Sequence, residues 1–283
     1  MTVRPPSGPP TGPPGRPAPR DSWTRRFNQL LVLAGLEPFR LLHTARTLPV
    51  YLRNYRTYRR LQDGPTPPDF PVTRHVPMLH DRTASAGRRG AYFHQDLLVA
   101  RRILERRPAR HVDIGSRIDG FVAHVALFRE IEVLDIRPMS ERIPNIVFRQ
   151  VDFMQEDQPL VDYCDSVSCL HALEHFGLGR YGDPVDPAGH LKGFRNLHRI
   201  LRTGGTCYLS VPMGPQRTEF DSQRVFSLDY LLRMVAEGFR LERFAYVDDG
   251  GALHENVALG PELVATDCGC TLGCAILELV KVR

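Results

Sequence analysis

Three residues with acid–base or metal-binding side chains lie close together in the stretch CLHALEHF, at His171, Glu174 and His175. On a helix, the spacing H-x-x-E-H would place them on one face, because residues three and four apart are neighbours there. Imidazole and carboxylate groups bind several divalent metals, and a neutral imidazole accepts protons near pH 7. The motif therefore indicates a metal site or a proton-transfer site. The alternative is a helix end that these side chains cap and solvate.

A zinc peptidase would carry the H-x-x-E-H motif within a long helix. Here the motif directly follows YCDSVSCL, a short and largely apolar run that predicts a buried strand. We therefore expect the motif at the end of a strand, which argues against a peptidase.

The sequence around the motif predicts strands that alternate with helices. AYFHQDLLVARRILERR predicts an amphipathic helix with Phe93, Leu97, Ala100 and Leu104 on one face. HVDIGSRIDGFVAHVALFREIEVLDIRP then predicts a strand, a helix and a second strand that ends at Asp135.

Further strands and helices follow the same alternation. Strands are predicted at 145–153, 163–170, 206–212, 240–248 and 272–282, and helices at 190–202 and 227–238, the first of them closed by Gly204-Gly205. The pattern is typical of an α/β fold with a Rossmann-like, doubly wound, mostly parallel sheet of the seven-strand type and helices on both faces.

Candidate ligand contacts follow the first two strands of this sheet. Ligands of open parallel sheets bind beyond the carboxyl ends of the strands. Gly115 would let the backbone approach a ligand, and Asp135, about 20 residues further on, could accept hydrogen bonds from ribose hydroxyls. The alternatives are a tight turn at Asp113-Ile114-Gly115 and an exposed strand end at Asp135.

Several segments together resemble class I S-adenosylmethionine-dependent methyltransferases, namely VDIG, VLDIRP, QVDFMQ, LHALEHF and LHRILRTGGTCYLSVP. The resemblance covers roughly residues 91–283 and implies S-adenosyl-L-methionine as the cofactor. The cofactor-binding residues that it implies are Asp113, Gly115, Gly120 and Asp135, with Asp152 and Phe153 beside the adenine.

The chain departs from the glycine-rich loop of that family at two positions. Arg117 and Asp119 stand where the family usually has its second and third glycines, and their side chains could fill space that the methionine part of the cofactor needs. Gly120 would then open the following helix.

The resemblance also gives the opening motif a role. Some quinone-pathway O-methyltransferases similar to this chain carry E-x-x-E-H at this point and hold a divalent cation there, whereas this chain has His171 in place of the first Glu. The resemblance therefore implies either a divalent-cation site at His171, Glu174 and His175, or His175 as the catalytic base with the other two residues orienting it.

The segments GSRIDG, SCLHALEHFGLGRYGDP and YLSVP resemble a bacterial family often found beside surface-polysaccharide genes. The reaction of that family does not follow from the resemblance. The expected methyl acceptor is a hydroxyl, with a saccharide or a related small molecule as one candidate.

Two polar stretches near the motif predict substrate contacts, because long loops over a site often recognise the substrate. The loop GLGRYGDPVDPAGH carries Arg180, Tyr181 and Asp183, and MGPQRTEFDSQRVFS carries Glu219 and Arg224. The alternative for the first stretch is an ordinary surface loop.

The amino-terminal part of the chain differs from the rest in charge and composition. Residues 1–60 carry eleven arginines against Asp21 and Glu37, a balance of +9, whereas the whole chain has a net charge of +5 and the remainder is mildly acidic. An acidic remainder argues against nucleic acid as a partner. We predict a disordered Pro- and Gly-rich tail over 1–20, a basic helical extension and linker over 21–71, and the methyltransferase-like domain over 72–283.

Within the extension, residues 22–60 predict helices broken near Pro38 and Pro49. These helices either pack on the domain or lie on an anionic membrane or a partner. No run of roughly 20 apolar residues and no signal peptide are present, so the expectation is a cytoplasmic protein with reduced thiols, with peripheral membrane association as an alternative. Cys268, Cys270 and Cys274 lack the paired C-x-x-C spacing of most zinc sites.

The sequence thus predicts transfer of a methyl group from S-adenosylmethionine to a hydroxyl. One alternative is a catalytically inactive Rossmann-like protein that binds a nucleotide or a partner in polysaccharide assembly, and another is an enzyme that modifies nucleotide sugars in some other way. A cleft lined by Asp135 and open above Gly115 would favour methyl transfer, and a cleft plugged by Arg117 would favour the inactive protein.

Overall fold

A computed structural model describes residues 31, 33, 35, 37–62, 77, 79, 90–155 and 159–282. The chain contains two compact units, one over residues 19–88 and one that includes residues 89–283. The predicted tail at 1–20 lies outside the described residues. The predicted boundary between residues 71 and 72 also lies there and stays a prediction.

Helix α1 (Pro38–Gln62) belongs to the first unit and has 25 residues. It begins at Pro38, as the predicted break there implies, because proline at the first helical position lacks only an N–H that would have no helical partner. The predicted break at Pro49 is wrong, since the helix continues through this residue. Pro49 removes one backbone hydrogen bond without ending the helix. Among the described helices, none is both long enough and apolar enough to span a membrane.

The second unit is built on a mixed sheet of eight strands in the order β3-β2-β1-β4-β5-β10-β8-β9. The strands are β1 (His111–Ile114), β2 (Ile131–Asp135), β3 (Ile146–Gln150), β4 (Cys164–Leu170), β5 (Leu201–Met213), β8 (Phe239–Val247), β9 (Leu253–His254) and β10 (Gly273–Lys281). The first five strands in this order are parallel, and β10 is antiparallel to both β5 and β8. This arrangement confirms the predicted fold class.

The remaining elements connect the strands or lie on the sheet. They are α2 (Ala91–Arg106), a π-helical turn (Ile118–Val122) that continues into α3 (Ala123–Ala126), α4 (Gly189–Ile200), α5 (Leu228–Ala236), α6 (Pro261–Ala265) and the hairpin of β6 (Arg217–Glu219) and β7 (Gln223–Val225). Apolar residues form two buried clusters, and neighbouring residues of β5 alternate between them, with Leu209 in one and Tyr208 in the other. Because side chains alternate across a strand, the two clusters lie on opposite faces of the sheet.

The predicted face of α2 differs from the face that the structure buries. Of the predicted stripe Phe93, Leu97, Ala100 and Leu104, only Ala100 is buried. The buried face instead contains Gln95 and Arg102, because Gln95 accepts a hydrogen bond from Ser210 and Arg102 lies 3.4 Å from the Glu278 carboxylate. Polar residues with buried partners can occupy a core face, and the spacing of apolar residues does not reveal such partners.

The sequence predicts that Gly204-Gly205 closes α4, and this prediction is wrong. Both glycines lie within β5. Helix α4 ends at Ile200, and the register between β4 and β5 shifts between Cys164 and Ser166. Gly204 has a φ of 79°, which suits a bulge in a strand as well as it suits a helix end.

Candidate functional site

A cleft opens at the carboxyl ends of β1, β2, β3 and β4, where the sequence places the ligand. Its walls come from residues within 114–117, 134–137, 151–154 and 171–176, together with Tyr181 and Asp183 from the following loop and Tyr92 from α2. The empty space of the cleft, including the part open to solvent, is about 790 Å³.

Gly115 lines the cleft directly after β1 and has a φ of +69°, a conformation that favours glycine. Its N–H donates to the Leu134 carbonyl at 2.9 Å, which fixes the turn against β2. A Cβ at this position would lie 3.1 Å from the Ala172 Cβ. The absence of a side chain therefore brings the backbone to the cleft wall.

Asp113 is fully buried below this turn and does not line the described cleft. Its carboxylate accepts the Ser116 N–H at 2.9 Å, the Ser116 hydroxyl at 2.6 Å and the Ser168 hydroxyl at 2.5 Å. Burial raises the pKa of Asp113 to about 6, against the effect of these hydrogen bonds. The structure thus places Asp113 as a support of the turn that carries Gly115.

Gly120 and Arg117 also occupy positions that the sequence alone does not predict. Gly120 lies in the π-helical turn, where a Cβ would stand 2.6 Å from Asp96 Oδ2, so this glycine permits close packing on α2. Arg117 donates to the Asp119 carboxylate at 2.9 Å, and its side chain is 61% exposed. Arg117 therefore lies at the rim of the cleft and does not plug it.

Asp135 lies at the end of β2 and faces the cleft. Its Oδ1 accepts the Arg137 N–H at 2.8 Å and Arg137 Nε at 3.0 Å, and its Oδ2 accepts Arg137 Nη2 at 2.6 Å. The Arg137 guanidinium lies 4.8 Å from the centre of the Tyr181 ring. A ligand hydroxyl that bonds to Asp135 therefore has to share the carboxylate with Arg137, which the sequence analysis did not identify.

Asp152 and Phe153 follow β3 and both line the cleft. Asp152 Oδ1 accepts the Met154 N–H at 3.0 Å, and the Phe153 side chain is buried against the sheet. Their position beside an adenine stays a prediction. That prediction requires both residues to lie at the cleft wall, and they do.

His171, Glu174 and His175 follow β4 in a loop and one 3-10 turn (Leu173–His175), and not in a long helix. The buried Glu174 Oε1 accepts His171 Nδ1–H at 2.8 Å and lies 3.7 Å from His175 Nε2. His171 Nε2 lies 3.3 Å from Cys274 Sγ. Burial alone would lower the pKa of His171, but the neighbouring Cys274 and Glu174 raise it well above its usual value. His171 is therefore paired with Glu174 through Nδ1.

His175 differs from His171 in both hydrogen bonding and charge. Its Nδ1 lies 2.7 Å from the Ser222 carbonyl oxygen, so Nδ1 carries the proton and donates it to that oxygen. Burial lowers the pKa of His175, although Glu174 acts in the opposite direction. Near pH 7 the ring is therefore neutral, with an unprotonated Nε2, and His175 lines the cleft.

The structure does not support the predicted divalent-cation site. Across the described residues, no group of three His, Cys, Asp or Glu side chains is arranged to hold a metal ion. Both ring nitrogens of His171 and the Nδ1 of His175 already have protein partners, and the Glu174 carboxylate is fully buried. The cysteines of the DCGCTLGC stretch form no such group either, and all six cysteines are free thiols.

The five predicted substrate residues occupy different environments. Tyr181 and Asp183 line the cleft, whereas Arg180, Glu219 and Arg224 are not among its described lining residues. Asp183 accepts the N–H groups of Gly177, Gly179 and Tyr181 and so shapes the loop that carries Tyr181.

Arg180 and Arg224 support the site from outside the cleft, whereas Glu219 bonds within a neighbouring hairpin. Arg180 donates to the Ser222 carbonyl at 3.2 Å, the same oxygen that holds His175. Arg224 is buried and donates to the carbonyl oxygens of Glu174, Phe176, Asp186 and Pro187. Glu219 accepts from Arg217 and Gln223 within the β6–β7 hairpin. These contacts favour a supporting role for Arg224 over contact with the substrate.

Comparison with known proteins gives one family match and several structural similarities. The family described as Caenorhabditis protein of unknown function, DUF268, matches residues 121–250. A search of curated proteins found no match.

Three solved structures illustrate the structural similarity. The N-methyltransferase NodS from Bradyrhizobium japonicum with S-adenosyl-L-homocysteine is 12% identical, with 67% of this chain and 87% of that chain covered and a TM-score of 0.45. The 1,6-didemethyltoxoflavin-N1-methyltransferase from Burkholderia thailandensis is 15% identical, with coverages of 66% and 79% and a TM-score of 0.44. The [4+2]-cyclase SpnF is 17% identical, with coverages of 66% and 80% and a TM-score of 0.44.

Proposed function

We propose that this protein transfers a methyl group from S-adenosyl-L-methionine to a hydroxyl of a small molecule. The observation that carries the proposal is that one cleft contains the close-approach glycine Gly115, the strand-end carboxylate Asp135 and the neutral imidazole of His175. In this proposal, Gly115, Asp135, Asp152 and Phe153 form the cofactor half of the cleft, and His171, His175 and Tyr181 form the acceptor half.

The cofactor half fits a nucleoside that carries an amino-acid tail. Gly115 leaves room that a Cβ would fill, and the Asp135 carboxylate can accept hydrogen bonds from ribose hydroxyls if Arg137 shares it. Asp113, which the sequence assigns to cofactor binding, acts in this proposal through the turn that it supports, and Gly120 acts through packing. The bound cofactor supplies an electrophilic methyl group.

His175 is the proposed general base. A hydroxyl acceptor must lose its proton as its oxygen attacks carbon, and a neutral imidazole at the cleft wall can take that proton. The Ser222 carbonyl fixes the proton on Nδ1 and so leaves Nε2 available. When Nε2 gains a proton, the Glu174 carboxylate 3.7 Å away stabilises the charge, and His171 keeps that carboxylate in place. Glu174 and His171 are therefore positioning residues here, and no metal ion is included.

A saccharide or related small molecule remains the proposed acceptor class, and Tyr181 is the residue placed best to contact it. Nucleic acid is not part of the proposal. The predicted cytoplasmic location and the predicted membrane contact of residues 22–60 are separate from methyl transfer. An inactive Rossmann-like protein is the second candidate, favoured by the ion pair that Arg137 makes with Asp135, because this pair occupies both carboxylate oxygens.

Calorimetric titration of the whole protein with S-adenosylmethionine and with S-adenosylhomocysteine tests the proposal. We expect a Kd in the micromolar range, on the order of −8 kcal/mol. Absence of binding at millimolar ligand would refute methyl transfer. Binding without turnover on a panel of saccharide, phenol and hydroxy-acid acceptors would favour the inactive protein.

A further inference from the structure

Helix α1 is the most basic element that the structure describes. Its 25 residues contain no acidic residue and six arginines, which are at positions 40, 46, 53, 56, 59 and 60. Arg40 forms an ion pair with Glu37 just before the helix, with its Nε 3.0 Å from the carboxylate. A peptide segment with this charge is attracted to anionic surfaces.

One face of α1 combines this charge with exposed leucines. Leu41, Leu48 and Leu52 are spaced by seven and four residues, so they lie in one row along the helix. Their exposed fractions are 65%, 38% and 39%. The row continues along the helix to Arg56, four residues after Leu52.

A shallow groove on α1 lies between the leucines and the arginines that follow them in the helix. Ala45, Leu48, Pro49 and Leu52 line its apolar end, and Arg53, Arg56, Thr57 and Arg60 line its basic end. Apolar and cationic side chains are therefore adjacent on one exposed surface, which we call the leucine–arginine face.

We propose that the leucine–arginine face of α1 lies on an anionic lipid surface, with the helix parallel to the surface. The leucines enter the boundary between head groups and acyl chains, and the arginines remain at the level of the phosphates, with their aliphatic stems against the apolar layer. This role lies outside the proposed methyl transfer, because every residue of the face belongs to the unit of residues 19–88.

A lipid surface fits this face better than a nucleic acid does. Phosphate groups of either partner could pair with the arginines. A nucleic-acid backbone, however, offers no apolar layer for Leu41, Leu48 and Leu52, which would stay exposed to water. Their exposure next to the arginines is thus explained by a partner that is both anionic and apolar.

Co-sedimentation of the whole protein with vesicles tests the proposal. We expect binding to vesicles of phosphatidylcholine with 30% phosphatidylserine to be at least about 100-fold stronger than to phosphatidylcholine alone. Replacing Arg53, Arg56 and Arg60 together by Gln should weaken binding to the anionic vesicles by roughly 100-fold. Replacing Leu48 and Leu52 by Ser should weaken it by about 10-fold.

The control removes the same charge elsewhere. Arg101, Arg233 and Arg240 are exposed arginines of the other unit, each paired with an acidic side chain, and their joint replacement by Gln should leave vesicle binding within about 2-fold of wild type. Equal loss in both triple variants would overturn the proposal, because net charge alone would then explain binding. Unchanged vesicle binding in the leucine variant, with tight binding to a single-stranded oligonucleotide, would overturn it in favour of a nucleic-acid surface.

Discussion

The two halves of the cleft differ in how far along the chain the hydrogen-bond partners of their residues lie. In the cofactor half, Gly115 is fixed by β2 and Asp135 by Arg137, two residues away. In the acceptor half, His175 depends on Ser222 of the β6–β7 hairpin, 47 residues later in the chain. The cofactor half is therefore a product of the sheet itself, and the acceptor half depends on loops that other elements must hold in place.

This difference predicts that the two halves can be damaged separately. A change in the acceptor half should lower turnover and leave cofactor affinity unchanged. A change in the cofactor half should weaken cofactor binding and leave turnover at saturating cofactor unchanged.

The largest expected effect is on turnover in His175→Ala. Removal of the base should lower kcat by roughly 10²- to 10⁴-fold, with S-adenosylhomocysteine affinity within about 2-fold of wild type by calorimetry. Burial lowers the pKa of His175, so in the wild type kcat/KM should rise with pH and level off above an apparent pKa below the ordinary value of 6.5. His254→Ala, at a half-buried histidine outside the cleft that is paired with Asp248, is the matched control. Full turnover of His175→Ala on a true acceptor would remove His175 from the mechanism.

The next effect concerns the cofactor half. Asp135→Ala should weaken S-adenosylhomocysteine binding by about 1.5–3 kcal/mol, because charge-assisted hydrogen bonds to the ribose are lost. Calorimetry measures the change, and Asp229→Ala, at an exposed aspartate paired with Arg233, controls for loss of one negative charge. Wild-type affinity in Asp135→Ala would show that the cofactor half does not hold ribose through this residue.

Arg224→Gln should destabilise the loop of the acceptor half and leave the cofactor half unchanged. Loss of the guanidinium removes the side-chain donor to the carbonyl oxygens of Glu174 and Phe176, which should cost about 1–3 kcal/mol of unfolding free energy in urea. Proteolysis should become faster within residues 176–188, while cofactor affinity stays unchanged. Arg233→Gln, at an exposed arginine, should change stability by less than about 0.5 kcal/mol. A stability loss without faster cleavage in that loop would contradict the supporting role of Arg224.

The smallest effect is expected at Arg137. A half-exposed ion pair contributes about 0–1 kcal/mol, so Arg137→Gln should free Asp135 and tighten S-adenosylhomocysteine binding by up to about 5-fold. Tenfold weaker binding would instead mean that Arg137 contacts the ligand, and the assignment of Asp135 alone to the ribose would have to change.

The sequence predicts the fold better than it predicts the faces of its elements. Short apolar strands that alternate with helices, and the acid at the end of β2, follow from local patterns, and the structure confirms the sheet that they imply. The buried face of α2 does not follow, because Gln95 and Arg102 also bind Ser210 and Glu278, which lie more than 100 residues away in the chain. Gly204-Gly205 shows the same limit, since a glycine with positive φ serves a helix end and a strand bulge equally well.

The candidate site shows a similar division. The positions of Gly115, Asp135 and His175 at strand ends could be predicted from the order of the elements. The bonds that decide their chemistry could not, because Arg137 takes both oxygens of Asp135, Glu174 is shared by two histidines, and Ser222 sets the tautomer of His175. The D-x-R spacing of Asp135 and Arg137 is the one local signal that could have indicated such a partner.

The placement of β10 has a consequence for the order of folding. This strand lies between β5 and β8, although it follows both in the chain. As the chain emerges from the ribosome, β5 and β8 are complete before the strand that joins them exists, so each exposes an unpaired edge. Nascent chains that stop before Gly273 should therefore associate with chaperones or aggregate, and rapid folding should begin only once β10 has been synthesised.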